Sequence, residues 1–104
     1  MKKMLVTQAL VDRILDLIIK NTPFPMDSIY AEIQDDFQSL FISISVDDFP
    51  QGELEASFKL VGQILNQEVP VRNDSYSWVV AFKRAGEIVD SCFGGNLSAP
   101  SWGV

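Results

Sequence analysis

Ser39-Leu40-Phe41-Ile42-Ser43-Ile44-Ser45-Val46 is the stretch on which the reading of the fold turns. Leu40, Ile42, Ile44 and Val46 alternate with Phe41, Ser43 and Ser45, the period of a strand that is buried on one face. Its β-branched and aromatic content suits a pleated surface. The preceding segment is ambiguous by itself, because Ile29, Ile33, Phe37 and Leu40 also recur at helical spacing. The neighbouring strand decides in favour of a hairpin, Ser28 to Gln34 paired with Ser39 to Val46, turning at Asp35 to Gln38.

Upstream, Val6, Leu10, Ile14, Leu17 and Ile18 recur at three and four, while Asp12, Arg13, Asp16 and Lys20 fall largely on the other side. This predicts an amphipathic helix from Lys3 to Asn21. Pro23-Phe24-Pro25 ends it, since proline cannot continue the ladder and biases the residue before it toward extended backbone. Downstream, Leu54, Phe58, Val61, Ile64 and Leu65 predict a second helix from Glu53 to Asn66, with Glu53 and Glu55 at its positive end. A second hairpin follows, from Tyr76 to Lys83 and from Glu87 to Phe93, turning at Arg84 to Gly86 and stopped by Gly94-Gly95. The tail from Asn96 to Val104 reads as irregular structure.

The element order is therefore αββαββ, an α+β fold expected to form an antiparallel sheet with two helices packed on one face. On the third strand the larger set, Tyr76, Trp78, Val80 and Phe82, is expected to face the helices. A chain of 104 residues makes one domain, 1-104, since single cores occupy about 100 to 150 residues. With 47% hydrophobic and 21% charged residues, the composition is that of a folded globular chain.

The apolar run from Met4 to Ile19 is broken by Asp12, Arg13 and Asp16, which argues against a membrane span, and no small-residue cleavage site marks a signal peptide. With a single cysteine, Cys92, the expected location is the cytoplasm. Fourteen acidic against eight basic residues give a net charge of −6, which disfavours a nucleic acid and favours a basic protein partner. The same acidity also serves plain solubility.

Several chemistries lack their residues. The chain has no histidine, which removes the commonest general base and every His-dependent triad. Cys92 in a strand reads as a small buried hydrophobe. One cysteine without histidines cannot build a structural zinc site. Asp47 to Phe58 has the length of a calcium loop, with Gly52 at its sixth position, but Phe49 and Phe58 stand where oxygen ligands are required. Gly94-Gly95 lacks the lysine and the following helix of a phosphate loop. The expectation is a protein that is not an enzyme and that uses no cofactor and no metal.

Surface recognition remains, and three features can serve it. Asp35 and Asp36 precede Phe37, and Asp47 and Asp48 precede Phe49, so charge can steer a basic partner that an aromatic then anchors. Alternatively, aspartate is simply a favoured turn residue and each phenylalanine tucks into the core. Trp102 either contacts a partner or folds back as a plug. Glu32, Gln34, Ser43 and Ser45 form a polar row that can be an ordinary solvated sheet face.

A short acidic α+β chain with an amphipathic first helix, a hairpin opening at Ser28 to Asp36 and no catalytic set resembles the small cytoplasmic immunity proteins of bacterial toxin–immunity systems, such as those of contact-dependent inhibition and polymorphic toxins. The resemblance is one of layout and carries no family residue across. It implies a non-catalytic protein that binds and neutralises a cognate toxin domain, a basic nuclease being one candidate. Two other classes share the size and acidity: a type III secretion chaperone, which would be a homodimer with apolar grooves, and a phage-encoded inhibitor acting as an acidic mimic. The expected contact residues are Asp35, Asp36, Asp47, Asp48 and Glu53, with Trp102.

Overall fold

The computed structural model describes residues 6–34, 37–49, 54–69 and 77–94, together with the strand course of 101–103. Helix α1 spans Gln8–Asn21. Thr7 caps it, its hydroxyl accepting from the Leu10 amide at 3.2 Å. Val6 and Val11, the N′ and N4 positions of a hydrophobic staple, are both buried. At the far end the Thr22 hydroxyl and the Asn21 side-chain amide donate to the carbonyls of Ile18 and Leu17, so orphan acceptors are satisfied just before Pro23. Phe24 then drops into the core at 1% exposure. A single 3₁₀ turn, Met26–Ser28, leads into the sheet.

Five strands follow: β1 Ile29–Gln34, β2 Ser39–Ser45, β3 Trp78–Arg84, β4 Glu87–Gly94 and β5 Ser101–Gly103, with helix α2, Glu55–Glu68, between β2 and β3. The protein is α+β, and its strands lie side by side in chain order. The sheet is mixed, which corrects the expected antiparallel arrangement: β2 and β3 run parallel, pairing Leu40 with Trp78, Ile42 with Val80 and Ile44 with Phe82. The cause is the 14-residue crossover α2, which carries the chain back to the end where β2 began. The other three pairings are antiparallel. The tail also departs from the expected irregular course, since Ser101–Gly103 adds a short fifth strand beside β4.

The core is one cluster. Val11, Ile14 and Ile18 of α1 and Phe58, Val61, Ile64 and Leu65 of α2 join Leu40, Ile42, Ile44, Trp78, Val80, Phe82 and Cys92 of the strands. Alternation along β2 and β3 sends these strand residues to the same side, as the sequence pattern requires. Phe82 is the meeting point of the aromatics: Phe58 stacks on it at 3.9 Å between centroids, and Phe24 lies tilted against it at 6.3 Å. Arg13 of α1 reaches Glu68 of α2 at 2.6 Å, tying the helices at their rim.

Two local geometries set the outline of the sheet. Ala85 and Gly86 connect β3 to β4 with φ of 52° and 80°, the two-residue turn whose twist matches a hairpin. A bulge between Phe82 and Lys83 then shifts the register so that Lys83 pairs with Ile88. At the other end of β4, Gly94 packs under Trp78. A methyl group at Gly94 would sit 2.9 Å from the indole ring. Gly94→Ala is therefore expected to lower stability by about 1–3 kcal/mol through overpacking, read as a drop in the urea midpoint with unchanged slope.

Candidate functional site

The face of the sheet opposite the core cluster is where exposed chemistry gathers. Register fixes its rows. Glu32, Phe41, Val79 and Phe93 stand side by side across β1 to β4, and Tyr30, Ser43, Ala81 and Ser91 form the next row. Ser45, Lys83 and Ile88 form the third. Tyr30 is 58% exposed and Ile88 52%, and Val79 is exposed as well, so large apolar groups lie in water on a face that also carries serines. They lie in different rows and on different strands, with half-buried Phe41 and Phe93 flanking Val79, so the apolar exposure is spread across the face.

At the end of this face nearest the β3–β4 turn lies an open recess of about 440 Å³, lined by Asp27, Ser28, Tyr30, Ser43, Ser45 and Lys83 with Ile29 and Gly86. It offers hydroxyls, one carboxylate and one ammonium group. The Ser28 hydroxyl donates to the Pro25 carbonyl, and that of Ser45 donates to Asp47 Oδ2 at 3.1 Å. Among the described residues Lys83 and Asp27 form no ion pair, so both charges are free to meet a ligand. Such a set can hold polar groups by hydrogen bonds and charge. Among the described residues no group of three or more acidic or cysteine side chains is placed to hold a metal ion.

The residues singled out from sequence fare differently from one another. Asp47 and Asp48 are exposed in the turn after β2. Asp47 is tied into the fold: its Oδ1 accepts the Ala85 amide at 2.6 Å across 38 residues, bracing the turn in which Ala85 holds its left-handed φ. Asp48 makes no hydrogen bond or ion pair among the described residues, which leaves it as the acidic group available for contact. The two phenylalanines also part company. Phe49 packs edge-on against Phe24 at 5.6 Å, whereas Phe37 is 56% exposed with φ of 68°. Phe37 precedes β2 and Asp47 follows it, so the two turns lie about 20 Å apart by strand rise and form no single site.

Asp35, Asp36 and Glu53 lie outside the described residues. Trp102 is placed by its backbone opposite Cys92 on β5, and its side chain lies outside the described residues. Glu32, Gln34, Ser43 and Ser45 share the open face with Tyr30, Asp27 and Lys83, which sequence reasoning passed over. Tyr30 was accessible to it, since strand alternation places Tyr30 with Glu32 and Gln34. Lys83 was accessible in the same way, since alternation sets it on the side away from Trp78, Val80 and Phe82, and only its place beside Ser45 depends on the parallel pairing. Cys92 is fully buried, and burial, with the nearby Asp90 charge, pushes its thiol up to about 12.

No protein-family model matches the sequence, and no curated protein matches it. The crystal structure of the sex pheromone staph-cAM373 precursor is similar in fold, with a TM-score of 0.66 at 17% identity over 91% of this chain and 34% of that one. The chain thus spans about a third of that protein's length. Among the described residues no helix is long and apolar enough to cross a membrane.

The contrast between the two aspartates gives a direct check. Asp47→Ala is expected to cost about 1 kcal/mol by freeing the Ala85 amide, whereas Asp48→Ala changes stability by no more than about 0.5 kcal/mol. Urea titrations of the two variants side by side read the difference.

Proposed function

We propose that this protein is a non-catalytic binding module that docks a basic protein domain on the open face of its sheet, and that the docked domain is a toxin it neutralises in the bacterial cytoplasm, as an immunity protein does. In this reading both helices cover the face of Leu40, Val80 and Phe82 and free the opposite one for a partner. The observation that carries it is the open face itself: Tyr30, Val79 and Ile88 stand exposed on it, half-buried Phe41 and Phe93 flank Val79, and the exposed carboxylates of Asp27 and Glu32 lie on the same side. Aromatic and aliphatic anchors inside a charged rim are the usual anatomy of a protein interface.

The charge balance favours a basic occupant. At a net −6 the chain attracts a cationic domain over a distance and repels an anionic one. A domain that acts on nucleic acid would carry such a surface, and the carboxylates of Asp48, Glu32 and the acidic turns would stand where phosphates otherwise sit. Asp48, Asp35, Asp36 and Glu53 serve as steering charges in this reading, while Asp47 holds the turn and Trp102 lies at the margin of the same sheet.

The test is co-expression with the toxin domain encoded beside it, measuring co-purification, growth rescue and affinity. A tight complex that rescues growth is expected. Val79→Arg at the centre of the face should weaken it by roughly tenfold or more, and Asp48→Lys should slow association while leaving the urea midpoint unchanged. The complex should also weaken as salt rises. No complex and no rescue would sink the immunity reading, and a tight complex indifferent to Val79→Arg would move the interface off this face.

A further inference from the structure

The outer edge of β1 is a second surface, one that shares Tyr30 and Glu32 with the open face but offers the strand backbone. β1 stands at one end of the sheet order, and no described strand pairs with its outer side. Such an edge presents backbone N–H and C=O groups ready to pair, and proteins usually guard it with short strands, lysine, proline, bulges or inward charges. The opposite edge, β5, is three residues long. β1 has six residues, contains neither lysine nor proline, and pairs with β2 in an unbroken register, so the exposed carboxylate of Glu32 is the one guard it carries among its own residues.

The sequence of β1 is also self-complementary. Ile29-Tyr30-Ala31-Glu32-Ile33 reads nearly the same in both directions about Ala31, with isoleucine at each end and the exposed pair Tyr30 and Glu32 flanking the centre. Ile29, Ala31 and Ile33 are only half-buried against the core, and they alternate with exposed Tyr30, Glu32 and Gln34.

We propose that two copies of this chain pair antiparallel through β1 about a two-fold axis at Ala31, joining their sheets into one. In that register Ala31 lies opposite the partner's Ala31, and Ile29 lies opposite the partner's Ile33. The half-buried apolar row continues across the joint and loses its remaining contact with water. On the other face Tyr30 lies beside the partner's Glu32, so no two like charges are opposed.

The competing registers are worse on the same grounds. Centring on Glu32 opposes two carboxylates, and centring on Tyr30 overlaps only Ile29 to Ala31. Centring between two residues turns one copy over, because paired residues share a face, and sets its open side level with the other copy's helices. Centring on Ile33 overlaps only Glu32 to Gln34, so the Ala31 register is the one that matches apolar with apolar, avoids repulsion and keeps both copies the same way up along Ile29 to Ile33.

Light scattering behind size exclusion, run on the full chain across concentration and at about 50 mM and about 500 mM salt, tests the proposal. A dimer is expected that tightens as salt rises, because each copy carries a net −6, opposite to the salt response of a complex with a basic partner. Tyr30→Glu adds two like-charge pairs across the joint and should weaken the dimer about tenfold. Adding Glu32→Lys to it should restore the dimer, since each introduced carboxylate then meets an introduced ammonium group of the other copy. Both side chains are exposed, and circular dichroism checks that the variants remain folded. A chain that stays monomeric under every condition, or a dimer indifferent to Tyr30→Glu, or one that Glu32→Lys does not restore, would overturn it.

Discussion

Phe82 is the contact on which the rest of the structure depends. It sits on β3, the middle strand, with the ring of Phe58 from α2 on it and that of Phe24 from the loop after α1 beside it. One side chain therefore fixes a helix, a loop and the sheet against each other. Losing an aromatic of this kind from a core typically costs about 3–5 kcal/mol, a large share of what a domain of this size has to spare. Phe49 extends the group by packing edge-on against Phe24, so the turn that carries the acidic pair inherits its position from the same cluster.

That dependence explains which parts of the fold were readable. The alternation of Leu40 to Val46, the stripes of both helices and the stop at Pro23-Phe24-Pro25 are local patterns, and the elements form where those patterns lie. The parallel pairing of β2 with β3 is not local. Once a helix of 14 residues separates two apolar strands, a parallel return is open to the chain, and nothing within either strand distinguishes it from a hairpin. The fifth strand escaped for a different reason: Ser101–Gly103 takes its conformation from β4 and shows no period of its own.

The candidate site divides in the same way. Asp47 and Asp48 are adjacent and chemically identical in the sequence, and only the fold separates them, by bringing the Ala85 amide to one of them from 38 residues away. Phe37 and Phe49 follow the same acidic pattern, yet one is exposed and the other is packed. Repeated motifs therefore do not mark repeated roles here. What the structure adds is a face, assembled from β1, β2, β3 and β4, whose members come from distant parts of the chain and meet only through register.

Cys92 has a consequence of another kind. It is the one cysteine of the chain, it is fully buried, and its thiol remains protonated far above neutral pH. Thiol reagents react with the thiolate of an accessible cysteine, so the native protein is in effect silent toward them. A cysteine introduced at any exposed position becomes the sole labelling point without removal of the natural one. The fold thereby comes ready for a single fluorophore or spin label, and distances within its assemblies can be measured on a chain whose core is untouched.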